Sequence, residues 1–185
     1  KNWYYLSHHN YKINLFELAA RRLSSNNIVV FRMGAKVEEE FNLNDPNIID
    51  YANSIYANFE NDFRLIKESS FNIICGSEAS YITDVFDSNY LYINSWHISR
   101  PGGIGKNSLI VPSLVFDIKN NKYLSFFKQA QLENSGSNFF SQRINYKKYK
   151  IRNISSSELL NSTIELLSQK NSISSNQKKF QDIIS

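Results

Sequence analysis

The sequence of 185 residues contains one cysteine, three prolines and six glycines. The lone Cys75 excludes an internal disulfide framework and suits a reducing compartment, and its place in an apolar run favours packing over nucleophilic chemistry. No apolar run approaches the roughly 20 residues that a membrane-spanning helix needs, and the first residues lack the apolar segment of a signal peptide. These absences predict a cytoplasmic location, with peripheral contact at the inner face of the membrane as an option.

The sequence also lacks the common metal and cofactor motifs. His8, His9 and His97 have no cysteines or carboxylates around them at metal-ligand spacing. There is no P-loop, no nucleophile elbow and no Asp-x-Asp pair, and the glycines of residues 102–105 do not have dinucleotide-binding spacing. We therefore expect no metal and no cofactor.

Negative charge is in the minority, since 21 Lys and Arg residues outnumber 17 Asp and Glu residues and give a net charge of +4. Lys147, Lys148 and Lys150 alternate with Tyr146 and Tyr149, a pattern found in weak nucleic-acid patches. A solvated edge strand or loop explains the same pattern, and we favour it, so no nucleic-acid partner is expected. Diphosphate ligands and anionic membrane surfaces also suit this charge.

Hydrophobic periodicity predicts an α/β fold. Helical spacing occurs over about residues 14–24, 59–67, 77–86, 124–132 and 156–167, and residues 155–158 supply N-terminal capping chemistry for the last helix. Apolar, β-branched runs at residues 28–31, 71–75 and 90–94 read as strands buried on both faces. The alternating order indicates a Rossmann-like parallel sheet flanked by helices. We assign residues 1–168 to this domain and residues 169–185 to a polar C-terminal tail.

In open α/β sheets, ligands bind beyond the carboxyl ends of the strands. Arg32 and Gly34 follow the first predicted strand. The guanidinium could bind a phosphate or a sugar hydroxyl, and the glycine would let the backbone approach the ligand. A salt-bridged arginine and a turn glycine are an equally good interpretation.

A second candidate segment follows the strand at residues 71–75 and comprises Gly76, Ser77, Glu78, Ala79 and Ser80. Its small residues leave room, its hydroxyls can donate, and the amides at a helix start favour phosphate. Ordinary helix capping is the alternative. Glu78 is the pocket carboxylate to test as a catalytic base.

Four further residues are weaker substrate-binding candidates. Asp62 could accept a hydrogen bond from a nucleoside, Tyr51 and Ser54 could pack against a ligand, and Arg100 could reach a diphosphate. A carboxylate near a helix start, however, needs no function to explain it.

Several segments carry a family resemblance. Residues 29–34 (VVFRMG), 48–54 (IIDYANS) and 61–66 (NDFRLI), in this order, resemble a family of bacterial glycosyltransferases encoded with surface-polysaccharide genes. The likeness runs from about residue 10 to residue 167. It implies the two-domain GT-B fold, distantly similar to GDP-fucose-dependent fucosyltransferases, with this chain as the donor-binding C-terminal half.

The resemblance further implies donor binding around Arg32, Gly34, Asp62, Ser77 and Ser80. In the transfer, Arg32 and the amides after Ser77 are expected to act catalytically by stabilising the charge that develops on the departing diphosphate. It implies a nucleotide-sugar donor, with a GDP-sugar favoured by analogy, a glycan acceptor, and an N-terminal domain that this chain lacks. The alternatives are a non-catalytic nucleotide-sugar-binding module and a sugar-nucleotide epimerase. The donor pocket depends on the first two predicted strands ending side by side, so that Arg32 and residues 77–80 face the same phosphates.

Overall fold

The computed structural model describes residues 11–35, 37–75, 79–98, 108–134 and 144–168. Within these ranges the chain is a mixed α/β protein with parallel sheets flanked by helices. The predicted tail at residues 169–185 lies outside the described part. Among the described helices, none combines the length and the apolar character needed to cross a bilayer.

The described residues form five α-helices, and all five helices expected from hydrophobic spacing are confirmed. They are α1 (Glu17–Ser24), α2 (Phe59–Glu68), α3 (Ala79–Val85), α4 (Phe126–Asn134) and α5 (Ser156–Ser168). A 3-10 turn at Ile13–Phe16 leads directly into α1.

Eight strands lie in the same residues, several of them only two residues long. They are β1 (Val30–Phe31), β2 (Ile48–Ile49), β3 (Asn72–Ile74), β4 (Tyr90–Ile93), β5 (Leu109–Val111), β6 (Leu114–Asp117), β7 (Lys122–Tyr123) and β8 (Tyr149–Arg152). They form three sheets, ordered β1-β2, β3-β4-β5 and β7-β6-β8.

The sheet β3-β4-β5 is parallel throughout and contains the centre of the fold. All four residues of β4 are buried, as expected for a central parallel strand covered on both faces. Leu91 and Ile93 point to one face, where α1 and α5 cover them through Ala19 and Leu159. The alternate residues of β4 pack on the other face against Ile74 and Ile110.

The β1-β2 pair is also parallel but forms a separate sheet among the described residues. It packs on α1 through a small cluster of Ala20, Phe41 and Ile48. The prediction that the first two sheet strands, at residues 28–31 and 71–75, end side by side is therefore wrong. The two-residue β2, too short to show a strand pattern in the sequence, takes the place beside β1.

The sheet β7-β6-β8 is antiparallel and was not predicted. Its inner face packs Val115 and Ile151 into a cluster with Trp96 and Ile144. Residues 149–152 form an edge strand. For this segment, the sequence favours a solvated edge strand or loop over a nucleic-acid patch.

The N-terminus of α5 is closed by a capping box, as residues 155–158 predicted. The Ser155 N–H donates to Glu158 Oε2 at 2.9 Å, and the Glu158 N–H donates back to Ser155 Oγ at 3.3 Å. Arg152 adds a hydrogen bond to Glu158 Oε1 at 2.8 Å. Hydrogen bonds from Arg152 and Ser155 lower the pKa of Glu158 from 4.5 to about 2.

This lowered pKa predicts a pH-dependent stability. The Glu158 carboxylate stabilises the fold fully above its unfolded pKa near 4.5 and loses that contribution as pH falls toward 2. We expect Glu158→Gln to cost about 1 kcal/mol at pH 6 and about 0.4 kcal/mol at pH 3. Urea unfolding of both proteins at the two pH values measures this, and an equal cost at both would contradict it.

Candidate functional site

The carboxyl edge of the sheet β3-β4-β5 is where a ligand site is expected in an open α/β fold. The strands end at Ile74, Ile93 and Val111, in a register that pairs Ile93 with Val111. Polar residues lie within two positions of the ends of β4 and β5, namely Asn94, Ser95 and Ser113. These residues make the carboxyl edge a polar layer above an apolar sheet.

Asn94 begins this layer in a left-handed conformation, with φ of 63°. Its N–H still donates to Val111 O at 3.0 Å, so the ladder continues one residue past β4. Its side-chain Oδ1 accepts the N–H of Ile154 at 2.7 Å and ties the strand end to the segment before α5. Among the described residues the buried Nδ2 has no hydrogen-bond partner, so this strand end carries an unsatisfied donor.

Gln129 of α4 braces the two loops that leave the sheet. Its Nε2 donates to Trp96 O at 2.8 Å and to Ser113 O at 2.9 Å. The side chain is fully buried, and both bonds go to backbone carbonyls that no described strand pairs. The brace fixes the segment after β4 against α4, where Glu133 lies one helical turn further on.

His97 and Glu133 form a histidine–carboxylate pair in this layer. Their Nδ1 and Oε1 atoms lie 3.4 Å apart, longer than an ordinary hydrogen bond. The Glu133 side chain is 0% exposed and His97 is 23% exposed. The Ile98 N–H donates to Glu133 Oε2 at 3.1 Å, and the indole of Trp96 lies 3.9 Å from the imidazole between ring centroids.

This arrangement suits proton transfer. A buried carboxylate beside Nδ1 can hold the imidazole in one orientation, which leaves Nε2 as the ring nitrogen that could take or give a proton. Such contacts are often long without substrate and shorten when it binds. His97 and Glu133 thus form a candidate acid–base pair.

Two other reactive groups near this edge are structural. Burial raises the pKa of the Cys75 thiol to about 11, so the thiolate is scarce near neutral pH. Burial likewise raises the pKa of Tyr11, whose hydroxyl donates to Asn94 O at 3.2 Å. Cys75 packs against the main core, in line with the interpretation of its sequence position.

Arg32 is held in an ion pair within the β1-β2 unit. Its Nη1 lies 2.9 Å from Asp50 Oδ1, and the two side chains are only 10% and 16% exposed. Its Nη2 donates to Glu39 O at 3.1 Å. Burial alone would raise the pKa of Asp50, but hydrogen bonds from the Phe41 N–H and Asn53, with the charge of Arg32, hold that pKa below its usual value. This matches the salt-bridge interpretation of Arg32.

Gly34 lies in the loop that this ion pair closes. Its φ of 153° is one that side chains rarely adopt, and an added Cβ would lie 2.9 Å from Val37 Cγ1. The glycine is therefore required by the turn itself. Ligand approach is a separate prediction.

Tyr51 and Asp62 come together at the end of β2. Tyr51 is 6% exposed, and its hydroxyl accepts the Asn58 N–H at 3.1 Å, next to the start of α2. Burial first, and the neighbouring Asp62 second, raise the pKa of Tyr51, although the Asn58 N–H opposes them. Ser54 Oγ accepts the Tyr56 N–H at 3.3 Å. These contacts fix the loop before α2.

The remaining predicted site residues are described only in part. Gly76, Ser77, Glu78 and Arg100 lie outside the described residues. Ala79 and Ser80 open α3, and only the backbone of these two residues is described. The predicted roles of these residues stay predictions. Within the described ranges, no group of three or more His, Cys, Asp or Glu residues is placed to hold a metal.

Sequence reasoning missed Gln129 and Glu133, and it considered His97 only as a zinc ligand. One signal was available, because polar residues four positions apart on a helix share a face, although Glu133 lies one residue past the predicted helix at residues 124–132. A second was the change from apolar to polar residues after residue 93, which marks a strand end.

Comparisons of the chain with protein-family models, with curated proteins and with solved structures find no match. The class of the protein is therefore defined by its own architecture, a mixed α/β domain with parallel sheets flanked by helices.

Proposed function

We propose that this chain is the donor-binding half of a metal-independent glycosyltransferase of the GT-B type. It would transfer a sugar from a nucleotide-sugar, with GDP-sugars favoured, to a surface polysaccharide or another glycan, with an N-terminal domain binding the acceptor. The motif order in residues 29–66 suggests the family, and the parallel sheet is compatible with it. The observation that carries the proposal is the His97–Glu133 pair beyond the carboxyl end of β4.

The chemistry of the transfer needs a base. The acceptor hydroxyl oxygen attacks the anomeric carbon, the new C–O bond forms, and the bond from that carbon to the diphosphate oxygen breaks. The diphosphate leaves with the electron pair, and His97 Nε2 takes the hydroxyl proton. Glu133 stabilises the imidazolium that results.

The diphosphate needs positive charge and donors as it departs. Arg32 is already paired with Asp50, so a phosphate would have to compete with a carboxylate 2.9 Å away. Arg100 and the amides of residues 76–80 therefore become the preferred candidates for this role. A cytoplasmic location, where nucleotide-sugars are made, fits the proposal.

Ligand-induced thermal stabilisation tests the proposal directly. We expect one of a panel of GDP-, UDP-, CMP- and dTDP-sugars to raise the melting temperature by about 5–10 °C at 100 times its dissociation constant. The matched control is the nucleoside monophosphate that corresponds to each nucleotide-sugar, which carries the same base but no sugar to transfer. Silence across the whole panel at millimolar concentration would contradict the proposal.

Product analysis separates the alternatives. Transfer by the full-length protein yields a glycoside and a free nucleoside diphosphate. An altered free nucleotide-sugar would identify an epimerase, and binding without turnover would identify a non-catalytic module.

A further inference from the structure

One face of the antiparallel sheet β7-β6-β8 points away from the core. Residues directly opposite in an antiparallel ladder share a face. Leu114 pairs with Arg152, and Phe116 pairs with both Lys150 and Tyr123. The outward face, which we call the cationic face, also includes Ile118 and Lys148, joined by a backbone hydrogen bond of 3.0 Å.

The β6 side of the cationic face is apolar. Ile118 is 40% exposed and Tyr123 is 48% exposed, and the rings of Phe116 and Tyr123 meet edge to face at 5.2 Å. None of these residues, nor Leu114, belongs to the core clusters of the described residues. The β6 side of the cationic face therefore presents an apolar surface that a partner could contact.

The β8 side of the cationic face is a row of positive charge. Lys148, Lys150 and Arg152 are exposed at alternate positions, about 6.7 Å apart along the strand. Lys119 and Lys147 add charge in the adjoining turns. The charge of Arg152 is offset by the Glu158 carboxylate, so the net positive charge of the face comes from the lysines.

We propose that the cationic face docks on an anionic lipid bilayer. Lysines beside a negatively charged membrane are attracted to it, and an exposed isoleucine and tyrosine suit the interface between headgroups and hydrocarbon. A single-stranded nucleic acid would instead need ring faces free for stacking, and the edge-to-face contact between Phe116 and Tyr123 covers the face of one of these two rings. The inference is independent of the proposed transferase activity and would bring the protein to the membrane surface.

Vesicle co-sedimentation of the purified chain tests this. We expect binding to vesicles of phosphatidylglycerol and phosphatidylcholine in equal parts, and little binding to phosphatidylcholine alone. Lys148→Gln with Lys150→Gln should weaken binding about 25-fold, about fivefold for each lysine. The control, Arg22→Gln with Lys67→Gln, removes the same charge from exposed positions on α1 and α2 and should change binding less than twofold.

The apolar row has its own readout. Ile118→Ser should weaken binding without changing its dependence on salt, because it removes hydrocarbon and no charge. Equal weakening by the two double variants would overturn the proposal, since net charge alone would then explain binding. The proposal would also be overturned if a single-stranded oligonucleotide released the protein from vesicles at a lower concentration than free phosphatidylglycerol headgroup does. That result would favour a nucleic-acid site.

Discussion

Arg32→Ala is expected to lower the free energy of unfolding by about 3 kcal/mol, because it leaves the Asp50 carboxylate buried without its cation. For a chain of this size the melting temperature should fall by about 6–12 °C. The loss is structural, since Asp50 also holds the Phe41 N–H at 2.9 Å and Asn53 at 2.7 Å. Thermal unfolding at neutral pH is the measurement.

Arg64→Ala is the matched control. Its guanidinium lies 2.6 Å from Glu60, but those side chains are 70% and 75% exposed, and such pairs contribute about 0–1 kcal/mol. If Arg32→Ala cost no more than Arg64→Ala, the Arg32–Asp50 pair would not stabilise the fold. The phosphate-ligand interpretation of Arg32 would then be preferred again. In that case Arg32→Ala should abolish the rise in melting temperature that the nucleotide-sugar causes.

The helices could be predicted from the sequence because the apolar spacing and capping residues that specify each helix lie within about a dozen residues. Spacing of Leu159 with its neighbours and the capping pattern at Ser155 both concern local geometry, and the structure confirms them. The parallel strand β4 was equally visible as a continuous apolar run. Such local patterns specify elements and their approximate ends.

Strand partners could not be predicted in the same way. β2 has two residues and no pattern of its own, yet it pairs with β1, in a sheet separate from the one that contains β3. The antiparallel strands join β6 to residues more than thirty positions away through the pairing of Val115 with Ile151. Pairing over such distances depends on packing, which one strand's sequence does not record.

The candidate site shows the same difference between what a local pattern reveals and what depends on distant parts of the chain. Arg32 was found because it follows a visible strand, but its partner Asp50, which follows the unseen β2, decides its role. His97 lies just after a predicted strand, whereas Glu133 reaches it from a helix 36 residues later. Each half of that pair has an ordinary interpretation alone, and only the fold joins them.

His97→Asn is expected to lower the transfer rate of the full-length protein about 1,000-fold, the loss typical of a removed general base. Donor binding should persist, so that kcat falls while the donor KM changes little. Steady-state kinetics with the nucleotide-sugar identified by thermal stabilisation gives both constants. An unchanged kcat would exclude His97 as the base.

Glu133→Gln tests whether the carboxylate acts through the imidazole. It should lower kcat about 100-fold in the wild-type background and have little further effect in His97→Asn, because residues that act as one unit are not additive. Added imidazole should restore part of the activity of His97→Gly, a rescue that a purely structural histidine would not allow. Full additivity of the two substitutions, or no rescue by imidazole, would show that the 3.4 Å contact between Nδ1 and Oε1 is a packing feature and that the transfer uses another base.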